Sequence, residues 1–325
     1  MLILALAAAA TAPQPGELKT FKDWTVGCDN GRACMAVALA PESWPEDAAS
    51  LVLRRGPEPD AVSTIQLAAE QNGVATAEAG GRRFRLEVQG DTISVARGNS
   101  SAFVTMLRSA PELRLLDNQG KVLGRVSLTG ASAALLYMDE QQRRIGTVSA
   151  LARPGRKPAS LVPPRPALPV IPAPKPSKAP VPRLDTAALL KAHADLDCDR
   201  AAKPGDVQVA RLDAEHSVVV VPNICDSGAY NFSSIVLVAD NRGRTREAKF
   251  QTPPGFTDDA TIINGGWDEK TRRITSYNKV RGLGDCGVAQ SYAWDGTGFR
   301  LTELSRMDEC RGSRDWITLW RAEVR

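Results

Sequence analysis

Short apolar runs, alternating or β-branched and broken by Gly, Pro, Asn or Asp, fill the chain before residue 130 and again after residue 205. Alternation over about four to eight residues marks strands with one face on a core. In the first stretch it predicts strands at 24–28, 33–39, 50–55, 63–67, 83–88, 92–96 and 124–128. Helical spacing replaces it at 101–109 and at 131–144, where Leu135, Leu136 and Met138 are followed a turn later by Gln142 and Ile145. The pattern predicts an antiparallel sandwich or open barrel with one helix packed on it.

The second stretch begins with a short helix at 185–194, capped by Asp185. Strands are expected at 207–212, 217–221, 233–239, 260–264, 273–280, 290–294, 298–303 and 317–321. Asp240 to Gly243 forms a hairpin turn, as does the Asp295-Gly296 pair.

Between the two stretches, residues 153–184 hold 11 of the 22 prolines and seven Lys or Arg, with no acidic residue. Proline removes amide donors and favours extended geometry, so a tether is expected, reaching on the order of 100 Å at about 3.1 Å per residue. The fold class is mainly β with minor α: two β-sandwich or open-barrel domains, 17–152 and 185–325, joined by a cationic proline-rich linker. A length of 325 residues fits two domains.

Residues 1–16 open with an apolar run, Leu2 to Ala10, then small residues, Pro13, Pro15 and Gly16. That reads as a secretory signal, without the usual positive charge ahead of the run. No stretch reaches the roughly 20 apolar residues of a spanning helix. The six cysteines, Cys28, Cys34, Cys198, Cys225, Cys286 and Cys310, include no C-x-x-C pair. Three disulfides in a periplasmic or secreted protein follow. If pairing stays within domains, Cys28 joins Cys34 and the other four allow three connectivities. The preferred set joins Cys198 to Cys225 and Cys286 to Cys310, because these close the shorter loops, each contributing on the order of 3 kcal/mol.

The net charge of +4 divides unevenly: −1 over residues 13–152, +7 over 153–184 and −2 over 185–325. Any attraction to anionic envelope surfaces therefore belongs to the linker and weakens with salt. Without interleaved aromatics there is no nucleic-acid signature. With two histidines, no metal centre and no cofactor are expected.

Two loops carry the candidate ligand-binding residues. RGLGDCG (281–287) places Arg281, Gly284 and Asp285 where glycine amides can form an anion nest, or simply a tight turn fixed by Cys286. CDSGAYN (225–231) sets Asp226, Tyr230 and Asn231 at a strand end, able to line a polar groove or to serve as a disulfide-anchored turn; Ser227 there lacks the G-x-S-x-G context of a nucleophile. His193 and His216 read as ordinary surface or edge histidines, and Asp195, Asp197 and Asp199 as a solvated acidic loop lacking the remaining ligands of a calcium site. Trp267, Trp294, Trp316 and Trp320, with Tyr277 and Tyr292, are expected in the core.

FKDWTVGCDNGRAC (21–34), LLYMDEQQRRIGTVSAL (135–151), CDSGAYN, RGLGDCG, YAWDGTGFRL (292–301) and WITLWRAEV (316–324), with the six cysteines, resemble the bacterial domain-of-unknown-function family 1176. The resemblance covers essentially the whole chain after residue 16 and implies an exported protein of unassigned activity. The W-T-V-x-C start is also similar to the invasion-associated locus B family, over the first domain only. The functional expectation is a non-enzymatic protein that binds an envelope component or another protein. Its competitor is an envelope-directed hydrolase, acting for example on glycans, with the carboxylates of the two loops as acid and base.

Overall fold

A computed structural model describes residues 12–43, 46–193, 202–256 and 259–325. The first half contains β1 (Leu18–Phe21), β2 (Trp24–Cys28), β3 (Cys34–Ala38), β4 (Ser50–Arg55), β5 (Thr64–Ala68), β6 (Thr76–Ala79), β7 (Arg82–Gln89) and β8 (Thr92–Val95). Helix α1 (Ser100–Leu107), β9 (Glu112–Leu116), β10 (Val122–Ser127) and α2 (Ala131–Gln141) complete it. The strands form one antiparallel sheet in the order β1-β2-β3-β4-β5-β8-β7-β6-β9-β10. Its last strand curls back to the segment before β4: the Arg125 amide donates to the Asp47 carbonyl and the Ala49 amide to the Arg125 carbonyl, both at 2.8 Å. The result is an open barrel rather than a closed one. Two helices fill its core where one was expected. Phe103, Val104, Met106 and Leu107 of α1 fall on the face that helical spacing gives them, and join Ala134, Leu135 and Met138 of α2.

The second half contains β11 (Val170–Ile171), α3 (Thr186–Ala192), β12 (Gln208–Arg211), β13 (His216–Asn223), β14 (Ser233–Asp240), β15 (Thr245–Glu247) and β16 (Thr261–Ile263). Then follow β17 (Gly266–Asp268), β18 (Arg273–Lys279), β19 (Gly287–Trp294), β20 (Phe299–Met307), β21 (Ile317–Arg321) and β22 (Glu323–Val324). Strands β12 to β15, with β16 on β14, make one sheet; β17 to β21 make the other. Side chains alternate along a strand, so the valine run of β13 divides. Val218 and Val220 face the second sheet's Trp294, Phe299 and Leu301, while Val219 and Val221 pack with Leu189 and Leu190 of α3. The Asp185 carboxylate caps α3 by accepting from the Ala188 amide at 3.0 Å.

The two halves pack directly on each other. Met35, Val37 and Leu39 of the first share an apolar cluster with Cys286, Met307, Ile317 and Leu319 of the second. Gly27 makes the approach possible: a Cβ there would lie 2.7 Å from Leu319 Cδ2 and 2.9 Å from Ile317 Cγ2. Polar contacts surround the cluster. Asn30 exchanges two hydrogen bonds with the Arg321 backbone at 2.9 and 2.8 Å, and Arg54 pairs with Asp315 at 2.5 Å. Arg311 donates to the carbonyls of Ala40 at 2.7 Å and Lys22 at 3.0 Å and pairs with Asp23.

The expectation of a free tether is corrected here. The proline segment is extended, but it lies along the protein: the Lys157 amide donates to the Gly146 carbonyl at 3.1 Å, and β11 pairs in parallel with β22. Farther on, Arg211 donates to the carbonyls of Ala179 and Pro180. Val162 and Ile171 are buried. Proline costs a segment its own amide donors, yet its carbonyls still accept and its apolar neighbours still dock. All seven of its basic residues remain exposed.

Disulfides join Cys28 to Cys34 and Cys286 to Cys310. Cys225 is also disulfide-bonded, and Cys198 lies outside the described residues, as do Asp195, Asp197, Asp199 and the apolar run at 2–10. No helix among the described residues is long and apolar enough to cross a membrane.

Candidate functional site

The CDSGAYN and RGLGDCG loops meet. The Tyr230 hydroxyl donates to the Val280 carbonyl at 3.0 Å, and the Tyr230 ring lies beside Gly282, where a Cβ would stand 3.5 Å from Cδ1. Asn231 fastens the first loop to β18 by donating to the Lys279 carbonyl at 2.8 Å and to Asn278 Oδ1 at 3.0 Å. From the other side Asn264 Nδ2 donates to Asn231 Oδ1 at 2.9 Å and to the carbonyls of Tyr230 and Tyr277 at 3.0 Å each. Ser227 accepts from the Ser233 amide and donates to the Asn223 carbonyl, both at 2.8 Å, so it holds the turn.

Asp285 is buried and spoken for. Arg281 reaches it with two nitrogens, at 2.8 and 2.5 Å, and the Gly312 amide donates at 2.7 Å. Burial pushes its carboxyl up, but the Arg281 and Gly312 donors outweigh this and hold it below the usual carboxylate range. A carboxylate so held stays ionised and is poorly suited to donate a proton. Gly284 sits at φ +70° with its amide on the Arg281 carbonyl at 3.0 Å, so that amide closes the turn instead of pointing at a ligand. Asp226 is exposed on the rim of the adjoining loop.

Around these loops the apolar residues Tyr230, Phe232, Val280 and Leu283 are exposed, the last three by 60–68%. Beneath them, Tyr277 donates to the Gly284 carbonyl at 2.9 Å and stacks on Trp316 at 4.6 Å, with the Lys279 ammonium 5.7 Å from the Tyr277 ring centre. Trp316 and Tyr277 correct the expectation of core burial: Trp267, Trp294, Trp320 and Tyr292 are core, whereas Tyr277 and Trp316 are half-buried, and Trp316 walls a cleft.

That cleft, about 760 Å³, lies where the two halves join. Arg54, Arg55 and Arg97 of the first half and Thr318 and Arg321 of the second line it, with Asp29 near Arg321 at 3.2 Å. Burial pushes the Asp29 carboxyl up, opposed by the Ala33 amide and by Arg321. The histidines lie elsewhere. His216 packs against Trp294 and contacts Asp213 at 3.1 Å, and Trp294 Nε1 donates to the same carboxylate at 2.7 Å, while His193 ends α3. Among the described residues, no group of three or more His, Cys, Asp or Glu is placed to hold a metal ion.

Buried residues that motif reading passed over occupy the 135–151 segment. Asp139, fully buried, accepts from the amides of Leu151 and Ala152 at 2.8 and 2.7 Å. Arg144, also fully buried, donates to the carbonyls of Gly56, Pro57, Glu58 and Pro59. The quoted motif contained them, but only the fold shows what they hold.

A family model described as protein of unknown function, DUF1176, matches residues 18–323. The chain belongs to that family. The chain is also 26% identical over 331 residues to the uncharacterized protein YpfG of Escherichia coli (strain K12), covering 93% of this chain and 92% of the relative. It is also similar to the crystal structure of invasion associated protein b from Bartonella henselae, at 16% identity and a TM-score of 0.29, over 39% of this chain and 99% of that one.

Proposed function

We propose that this DUF1176 protein is a non-catalytic binding protein of the periplasm or cell exterior, and that it grips an envelope component or another protein on the joined CDSGAYN and RGLGDCG loops. The observation that carries this reading is the loop surface itself. Two disulfide-bearing loops are stitched together through Tyr230, Asn231 and Asn264, and present Tyr230, Phe232, Val280 and Leu283 outward. Exposed apolar side chains on a rigid polar frame are the usual make-up of an interaction surface. Asp226 and Arg281 supply a charged rim.

The seven exposed cations of the docked proline segment support a second, salt-sensitive contact with anionic envelope surfaces. The disulfides support an oxidising compartment. Against a hydrolase that pairs Asp226 with Asp285 stands the commitment of Asp285 to Arg281 and Gly312.

The test is affinity capture from periplasmic extract with the wild type and with a Phe232→Ser, Leu283→Ser variant, whose changed side chains are exposed and leave the core intact. A discrete partner retained by the wild type and lost from the variant is the expected result. A partner held equally by both removes the loop surface from the account.

A further inference from the structure

The proline segment is pinned to the body at several places between residues 165 and 184. Leu168 and Arg165 lie against Gly31, where a Cβ would stand 3.1 Å from Leu168 Cδ2 and 3.3 Å from Arg165 Nε. Val170 and Ile171 pair with Glu323 and Val324, and Arg211 donates to the carbonyls of Ala179 at 3.3 Å and Pro180 at 2.7 Å. The Arg183 carbonyl would lie 3.0 Å from a Cβ on Gly243. A chain fixed in this way presents one constant side to solvent. Ile171 is buried, and Pro174, against Gly296, and Ser177 are half-buried, whereas Pro172, Lys175, Lys178 and Val181 are exposed. Their spacing of three is the turn of a polyproline helix, which sets them along one edge about 9 Å apart.

The body does not neutralise that edge. Lys175, Lys178 and Arg183 have no ion-pair partner among the described residues. Carboxylates beside the contacts of the segment are already taken: Asp295, next to Gly296, pairs with Arg300, Asp240, in the turn of Gly243, with Arg244, and Glu323 with Arg325. Arg165 reaches the Gly31 turn, where its charge acts on Asp29, itself paired with Arg321. Among the residues that the segment touches and their chain neighbours, Lys175, Lys178, Arg183, Arg211 and Arg242 are left against Asp185, the cap of α3.

Cations alone would suit any polyanion. Val170 and Val181, however, are 49% and 42% exposed in the same segment, and with Pro172 they set apolar groups among the charges. A soluble polyanion has no use for them. The interface of a bilayer takes up aliphatic side chains while its headgroups meet the cations, and lysine stems can lie along it.

We propose that this edge of the proline segment, formed by Pro172, Lys175, Lys178, Val181 and Arg183, binds the surface of an anionic phospholipid bilayer. The inference rests on the salt-sensitive anionic contact in the proposed function and names its partner; it is independent of the loop surface.

Co-sedimentation of the full chain with vesicles of equal parts phosphatidylglycerol and phosphatidylcholine, and with vesicles of phosphatidylcholine alone, tests it. Binding is expected to the first only, and should fall as salt rises. The Lys175→Gln, Lys178→Gln variant should bind about tenfold or more weakly. Val181→Ser should bind about threefold more weakly, through lost apolar burial. An Arg82→Gln, Arg85→Gln variant of β7, which removes the same charge from exposed side chains elsewhere, should stay within about twofold of the wild type, because screening confines the effect to nearby charges. The Phe232→Ser, Leu283→Ser variant should bind as the wild type does. The proposal is overturned if phosphatidylcholine vesicles bind equally well, if the double-lysine variant keeps wild-type binding, or if either control variant loses it. Heparin in place of vesicles separates the two readings. Heparin bound through Lys175 and Lys178, with no vesicle binding or with vesicle binding indifferent to Val181→Ser, leaves the anionic contact standing and removes the bilayer; binding to neither removes both.

Discussion

At the scale of single residues, the buried ion pairs show how polar groups hold this fold. Asp285 ties its own loop to the Gly312 turn through Arg281 and the Gly312 amide, and its partner Arg281 also donates to the Cys310 carbonyl at 2.9 Å. Asp285→Asn keeps the shape but removes the charge and turns donors toward donors, and should cost about 1–3 kcal/mol of stability at neutral pH. Because the Asp285 carboxyl is held below its ordinary value of 3.8, its contribution is present above that value and lost as pH falls through the lower, folded one. Denaturation of wild type and variant from pH 7 to pH 2.5 should therefore show two curves that converge in acid. A gap that stays constant across that range contradicts the assignment. The sequence marked Asp285 and Arg281 as neighbours in a glycine loop, yet whether they served a ligand or each other was decided by Gly312, 27 residues downstream. Separation of that kind leaves no local signal. Arg144 was hidden for the same reason: it is unremarkable in its own segment, and the carbonyls of Pro59 and Pro57 that it holds lie 85 and 87 residues upstream.

At the scale of elements, strands with strong alternation were legible, and short ones were not. Alternating or β-branched runs found β2, β4 and β21 with their observed bounds. The four-residue strands β1 and β6 carry too few apolar positions to show a period, and Leu-rich β9 sits between Glu and Asp with no β-branched residue. Proline misled in the other direction, since a segment that cannot form a ladder of its own still added β11 beside β22. Close approach of elements gives the sharpest element-level prediction. Gly27→Val in β2 drives a side chain into Leu319 and Ile317 of β21, inside the buried junction cluster, and should lower stability by about 1–3 kcal/mol in denaturant unfolding. An unchanged midpoint would mean that β2 and β21 do not pack as described.

At the scale of the whole molecule, two β-rich halves, read from the sequence as independent bodies on a tether, share a core cluster, a ring of polar contacts and a cleft lined from both sides. Composition cannot reveal this, because Met35, Val37, Ile317 and Leu319 look like any strand interior. The junction also explains how distant loops become one surface. Trp316 walls the cleft, stacks on Tyr277, and Tyr277 supports Gly284, so the RGLGDCG loop rests on the joint between the halves. Binding on that loop surface is the central claim, and site-specific photo-crosslinking tests it most directly. A photoreactive residue placed at Leu283, and separately at Val88 on an exposed strand of the first half, reports contact by position. The account predicts, in intact cells, one discrete adduct from position 283 and none of that mass from position 88; no adduct at 283, or the same adduct from both positions, would contradict it.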